Sequence, residues 1–160
     1  MIIRDACAAD APSLAAFNNA IAAETESHIL DQELLANGID AVLSDRSKAR
    51  YWVAESDDEV IGQIMVTYEY SDWRCGNMWW IQSVYVRDDK RRKGVFSALY
   101  RHVESLSRAD DGVAGIRLYV EHSNKRAQDT YTSLGMQMRD YRVMEVDFRK
   151  EEKQEESSNA

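Results

Sequence analysis

The run Arg91-Arg92-Lys93-Gly94-Val95-Phe96-Ser97 joins three adjacent cations and a glycine to the start of an apolar helical stripe. That combination suits a pyrophosphate. A helix N-terminus offers backbone N–H groups and a partial positive charge, Gly94 admits close approach because it has no Cβ, and Arg91, Arg92 and Lys93 add full charges. The run follows Trp80 to Val86, whose β-branched and aromatic residues read as a strand. Neither G-x-x-x-x-G-K-[ST] nor G-x-G-x-x-G occurs, which argues against ATP or NAD as the ligand. Downstream, Asn124, Ala127, Tyr131 and Gly135 fall at helical spacing. Asn124 can cap this helix and Gly135 can stop it, and Tyr131, two turns in, reads on spacing alone as an amphipathic core tyrosine.

Together the two blocks resemble motifs A and B of the GNAT superfamily of acetyl-CoA-dependent N-acetyltransferases, [RQ]-x-x-G-x-[GA] and N-x-x-A-x-x-x-Y-x-x-x-G. Phe96 departs from the first, which usually has glycine or alanine there, and is expected to crowd acetyl-CoA without abolishing the turn. The resemblance extends over residues 1 to 148. It implies direct attack of an acceptor amine on the thioester carbonyl, with no cysteine nucleophile, so Cys7 and Cys75 can be packing residues. It implies an oxyanion held by a backbone N–H within Val84, Tyr85 and Val86, where the central strand splays from its neighbour. Tyr131 would protonate the departing thiolate, and Arg91 to Ser97 with Asn124 would contact the coenzyme. Within the superfamily, Glu24-Thr25-Glu26, Ile29-Leu30-Asp31, Leu34-Leu35 and Asp72-Trp73 look like the diamine and thialysine N-acetyltransferases. Those enzymes carry an acidic pair on the central strand where this chain has Gln82 and Ser83. A small-molecule amine is the expected substrate and a homodimer the expected assembly.

An acceptor that arrives as an ammonium must lose a proton before it attacks. Glu26, Glu33, Glu69 and Asp72 are candidate bases, and Gln82 could position a water. Trp73, Trp79 and Trp80 suit either a cation–π wall or the core. The expected acceptor-binding group is Glu24, Glu26, Glu33, Trp73 and Gln82. Residues 1 to 45 hold eight acids against one base, Arg4, a balance that draws cations. An acidic groove would suit a protein or peptide N-acetyltransferase equally well, and a non-catalytic acyl-CoA-binding regulatory module is the alternative of another class, for which loss of Tyr131 would be the marker.

These groups need elements to position them. Met1 to Ala6 reads as a strand, Asp10 as the cap of a helix bearing Leu14, Phe17 and Ile21, and Asp31 as the cap of a second with Leu35, Ile39 and Val42. Tyr51 to Glu55, Val60 to Tyr68 and Met78 to Val86 read as antiparallel strands, the first turn at Asp57-Asp58. A helix from Val95, a strand from Gly115 to Val120, the Asn124 helix and a final strand from Tyr141 to Phe148 complete the order β-α-α-β-β-β-α-β-α-β. The expected fold is α+β, a mixed sheet with splayed central strands, in one domain over 1–148 with a charged tail over 149–160.

Composition agrees with one core: 160 residues, 44% hydrophobic, a single proline. The net charge of −8 opposes general nucleic-acid binding, apolar runs are too short to cross a membrane, and Met1 to Asp5 do not open a secretory signal. The cytoplasm is the expected location. His28, His102 and His122 lack metal-ligand spacing, and no metal is expected.

Overall fold

The computed structural model describes residues 1–26 and 29–148, without the Glu26 side chain. Expectations placed on that side chain, on His28 and on the 149–160 tail lie outside the described residues. The chain forms two compact units, Met1–Tyr119 and the part from Val120 onward.

The first unit is one mixed sheet covered on both faces. Strand β1 (Ile2–Asp5) precedes a 3₁₀ turn (Ala8–Asp10), then helices α1 (Ala11–Glu26) and α2 (Gln32–Ser44). Strands β2 (Ala49–Ser56), β3 (Glu59–Ser71) and β4 (Gly76–Val86) follow, then helix α3 (Val95–Ala109) and strand β5 (Val113–Leu118). Spatial order equals chain order, antiparallel throughout except that β5 lies parallel to β4. A parallel neighbour requires a crossover, and α3 is that crossover.

Local chemistry accounts for several boundaries. Asp57 and Asp58 both take positive φ (55° and 61°), the mirror-image turn whose twist matches a two-residue hairpin. Asp31 caps α2, accepting from the N–H groups of Glu33 and Leu34 at 3.0 Å each. Asp10 corrects the expected cap of α1. It ends the 3₁₀ turn, and its carboxylate accepts from Cys7 N–H at 2.8 Å and from two Arg4 nitrogens at 2.7 and 2.9 Å.

Strand alternation divides the core. Tyr51 and Val53 pack with Leu14 of α1 and Ile39 of α2 on one face. Trp52 points to the other, against Trp79 and against His102 of α3. Trp79 is therefore core, whereas Trp80, one residue on, faces the α1/α2 side. Gly62 permits this layering, because a Cβ there would lie 3.0 Å from the Tyr85 carbonyl and 3.3 Å from Val95. Both cysteines are free thiols, and their exposure corrects the packing role expected of them.

The second unit holds α4 (Lys125–Ser133). Asn124 caps it as expected, accepting from Ala127 N–H at 3.0 Å, and Gly135 follows at φ +88°. The expected strand at Tyr141 to Phe148 does not form: residues 141–147 have no strand pairing, and Tyr141 and Met144 are 89% and 96% exposed. Alternating apolar residues supply only half of a strand, because the ladder needs a paired neighbour. Likewise β5 ends at Leu118, where its pairing with β4 stops, and not at Val120.

Asp10 gives a stability test. It is buried, and the Arg4 guanidinium, aided by Cys7 N–H, holds its carboxyl below the usual range. A depressed folded pKa contributes stability above the unfolded value and loses it as pH falls through the folded one. Asp10→Asn should therefore lower unfolding free energy by about 2 kcal/mol at neutral pH, less than a fully buried pair because Arg4 is partly exposed. Urea titrations at about pH 7 and about pH 3 should show that difference shrinking at acid pH, below the usual aspartate pKa of about 3.9.

Candidate functional site

The site begins with a fault in β4. Gln82 pairs with Met65 and Tyr85 with Gln63, so Ser83 and Val84 together oppose the single residue Ile64. Gln82 and Tyr85 are three positions apart, and simple alternation would send them to opposite faces. The β-bulge resets the phase, with Ser83 in the left-handed region at φ +48°. Tyr85 consequently meets Phe17 of α1, ring centroids 5.0 Å apart. Beyond the bulge, Arg87 N–H bonds to the Ile61 carbonyl at 3.0 Å. Alternation then aims the N–H groups of Val84 and Val86 away from β3, along the edge of β4 where pairing with β5 has ended at Ile81–Leu118. Two donors thus point along one unpaired stretch of strand, the arrangement expected where central strands splay.

The basic run follows a 3₁₀ turn at Asp88–Lys90. Arg92 and Gly94 both have positive φ (62° and 81°), and Gly94 occupies the N-cap of α3 with no side-chain cap. A Cβ at Gly94 would meet nothing within 4 Å, so the backbone faces open space at the positive end of a helix of 15 residues. Arg92 and Lys93 are exposed and form no ion pair with described residues. A diphosphate fits this turn. Val95 is buried and anchors the helix, Ser97 is half-buried, and Phe96 turns toward Tyr100, ring centroids 6.2 Å apart.

Arg91 is differently placed. Its Nε donates to the Val86 carbonyl at 2.9 Å, its Nη2 reaches Glu24 at 2.8 and 3.0 Å and Asp88 at 2.8 Å, and it lies 5.2 Å over the Tyr85 ring. It clips the end of α1 to the end of β4. Glu24, expected among the acceptor residues, has its charge compensated by this pair. The other expected acceptor residues are dispersed. Glu33 is exposed in the first turn of α2, Trp73 stands 92% exposed at the tip of the β3–β4 hairpin, and Gln82 donates to Thr67 Oγ1 at 2.7 Å.

Glu69 already has partners: Trp80 Nε1 and Arg117 each donate to it at 2.9 Å. Arg117 also lies over the Trp80 ring, which packs on Tyr119. Arg117 and Tyr119 escape sequence reading because their partners lie in distant strands. Asn18 and Gln63 escape it too, although a glutamine inside Ile61-Gly62-Gln63-Ile64-Met65-Val66 is a signal in itself.

In the second unit, α4 carries Tyr131 two turns after the exposed Asn124. Tyr131 is half-buried, and burial pushes its phenol above the usual tyrosine value, so it stays protonated through the neutral range. No group of His, Cys, Asp and Glu among the described residues could hold a metal ion. No described helix is long and apolar enough to cross a membrane.

These features agree with comparisons to known proteins. Thialysine N-epsilon-acetyltransferase of Bos taurus is 33% identical over 78 residues, 49% of this chain and 45% of that protein. The match therefore spans less than half of the relative's length. The structure of a possible acetyltransferase from Clostridium difficile 630 is 44% identical, covering 91% of this chain and 96% of that one, with a TM-score of 0.85. A predicted acetyltransferase from Clostridium acetobutylicum, solved with acetyl-CoA, is 17% identical over 93% of this chain and 97% of its own, TM-score 0.74, and shares the fold. Residues 14–136, from α1 through the Tyr131 helix, match the Acetyltransferase (GNAT) family, and the chain belongs to it.

Proposed function

We propose that this acetyltransferase moves an acetyl group from acetyl-CoA to the amine of a small cationic molecule. The observation that carries the reading is the turn at Arg92 to Gly94, with two left-handed residues, an N-cap lacking a side chain, and the exposed cations Arg92 and Lys93 at the start of α3. Acetyl-CoA, when bound, supplies a thioester carbonyl activated for attack. Arg92, Lys93 and the α3 N-terminus bind its diphosphate. The Val84 and Val86 N–H groups donate to the carbonyl oxygen as it gains charge. The acceptor gives its ammonium proton to water, its nitrogen forms the new C–N bond while the C–S bond breaks, Tyr131 gives its proton to sulfur, and the proton shed by the acylated nitrogen restores Tyr131 through water. Gln82, fixed by Thr67, can hold such a water on the α1/α2 face.

A cationic acceptor follows from the acidic balance of residues 1 to 45. With Glu24 occupied by Arg91, the exposed Glu33 is the better probe of attraction. A thiol-release screen over polyamines, amino acids, aminoglycosides and peptides should select positively charged small amines. For the best of them, kcat/KM should fall about two- to fivefold as salt rises from about 0.05 to about 0.5 M, and Glu33→Gln should flatten that dependence. Preferred turnover of an anionic acceptor would remove the cationic assignment. Preferred turnover of peptides would favour the protein N-acetyltransferase reading, which the same acidic surface supports. The cytoplasm, where acetyl-CoA is available, is the proposed location, and a homodimer the proposed assembly.

A further inference from the structure

Gln63 is a polar residue in the interior of an apolar strand, and it is fully buried. Its Nε2 donates to Asn18 Oδ1 at 2.8 Å and to the Ser83 carbonyl at 3.0 Å. Asn18 Nδ2 in turn donates to the Tyr51 hydroxyl at 3.2 Å. A carbonyl oxygen only accepts, so the nitrogen of the Gln63 amide must be the atom that faces Ser83. The remaining atom, Oε1, is also buried and accepts no hydrogen bond from any described residue.

An unmatched buried acceptor destabilises the fold, and a methionine of similar length would avoid it. Removing the amide would strand little, because Asn18 and Ser83 are only half-buried. Folding stability therefore gives no reason for an amide at position 63. What the amide grips does give one. Ser83 is a non-glycine residue at φ +48°, a conformation that persists only where its surroundings hold it. The peptide that leaves it leads directly into Val84 and Val86, whose N–H groups line the unpaired edge of β4.

We propose that Gln63, braced by Asn18, is a positioning residue for acetyl transfer: by holding the Ser83 carbonyl it sets the bulge that aims the Val84 and Val86 N–H groups. This rests on the acetyltransferase reading above. Gln63 touches neither substrate nor reacting atoms, and acts through the backbone of β4.

The test is Gln63→Met in the full chain. It is followed by thermal melting, by the amide NMR resonances of Val84 and Val86, and by thiol release with the acceptor the wild type uses best. The variant should melt at or above the wild-type temperature, with both resonances displaced. Its kcat should fall about tenfold while KM for acetyl-CoA stays within about twofold, since geometry at the reacting carbonyl is lost and coenzyme binding is not. Gln63→Glu, which turns an acceptor toward the Ser83 carbonyl, should lose more, and Asn18→Ala should reproduce the Gln63→Met pattern more weakly. Unmoved Val84 and Val86 resonances, or undiminished kcat in an active enzyme, would overturn the proposal. So would a lowered melting temperature with shifts spread over the whole sheet, which marks an ordinary core residue. If Gln63→Met does not fold, the same resonances in Asn18→Ala decide. A wild type that neither binds acetyl-CoA nor releases thiol would instead overturn the acetyltransferase reading, while the resonances would still report whether Gln63 holds the bulge.

Discussion

Replacing Tyr131 by phenylalanine should lower kcat by about 10²- to 10⁴-fold while leaving fold and acetyl-CoA affinity unchanged, the range general acid catalysis contributes. The substitution removes one hydroxyl from a half-buried ring on α4 and keeps its volume. Burial raises the phenol's pKa, so the proton is present throughout the neutral range, and on the proposed mechanism it would pass to sulfur only as negative charge develops there. Two measurements check this. Single-turnover thiol release should slow in the variant, whereas calorimetric titration with acetyl-CoA should match the wild type. The wild-type kcat should also show no alkaline fall from loss of this proton below about pH 10, the ordinary tyrosine value. Equal turnover in the two proteins would make Tyr131 a packing residue and leave the thiolate to depart unaided.

Gly94→Asp should weaken acetyl-CoA binding about 100-fold or more, equivalent to about 2.7 kcal/mol. Aspartate is chosen because it is among the few side chains that visit the left-handed region, so the turn at φ +81° can persist. Its Cβ would enter open space, so no internal clash accompanies the change. What changes is the ligand's side of the turn: a carboxylate projects from the N-cap of α3 and opposes an incoming phosphate. Gly94→Asn separates charge from bulk, since the two side chains are nearly isosteric, and should cost only about tenfold. Calorimetry on both, with circular dichroism to verify the fold, reads the difference. Affinity unchanged in the aspartate variant would remove the phosphate turn from the site.

The parts of the site legible in the sequence are those whose geometry is local. Gly94 must sit where φ is positive, Asp31 and Asn124 must cap, and Asp57-Asp58 must turn, because each involves bonds within a few residues. Arg91 illustrates the opposite case. Read along the chain, it is one of three equivalent cations, but in the fold Glu24, 67 residues away, claims its guanidinium. The acidic stretch is likewise no uniform field. Glu24 is neutralised by Arg91, Asp10 by Arg4 and Asp5 by Arg50, which leaves members such as Glu33 to act on a ligand.

The sequence by itself determined the family, the order of elements through α4, the caps at Asp31 and Asn124 and the positive-φ turn at Gly94, because periodicity, caps and motif spacing are properties of neighbours along the chain. Tertiary structure alone decided the phase of β4. Only the pairing of Met65 with Gln82 and Gln63 with Tyr85 shows that a residue is inserted between them, and only that insertion puts Tyr85 beneath α1 and the Val84 and Val86 N–H groups on the unpaired edge. It also decided that Trp79 is core while Trp80 binds Glu69, and that Tyr141 to Phe148 form no strand with any described residue. A strand's face, register and existence are relations between two segments, and the chemistry of either segment alone leaves them open.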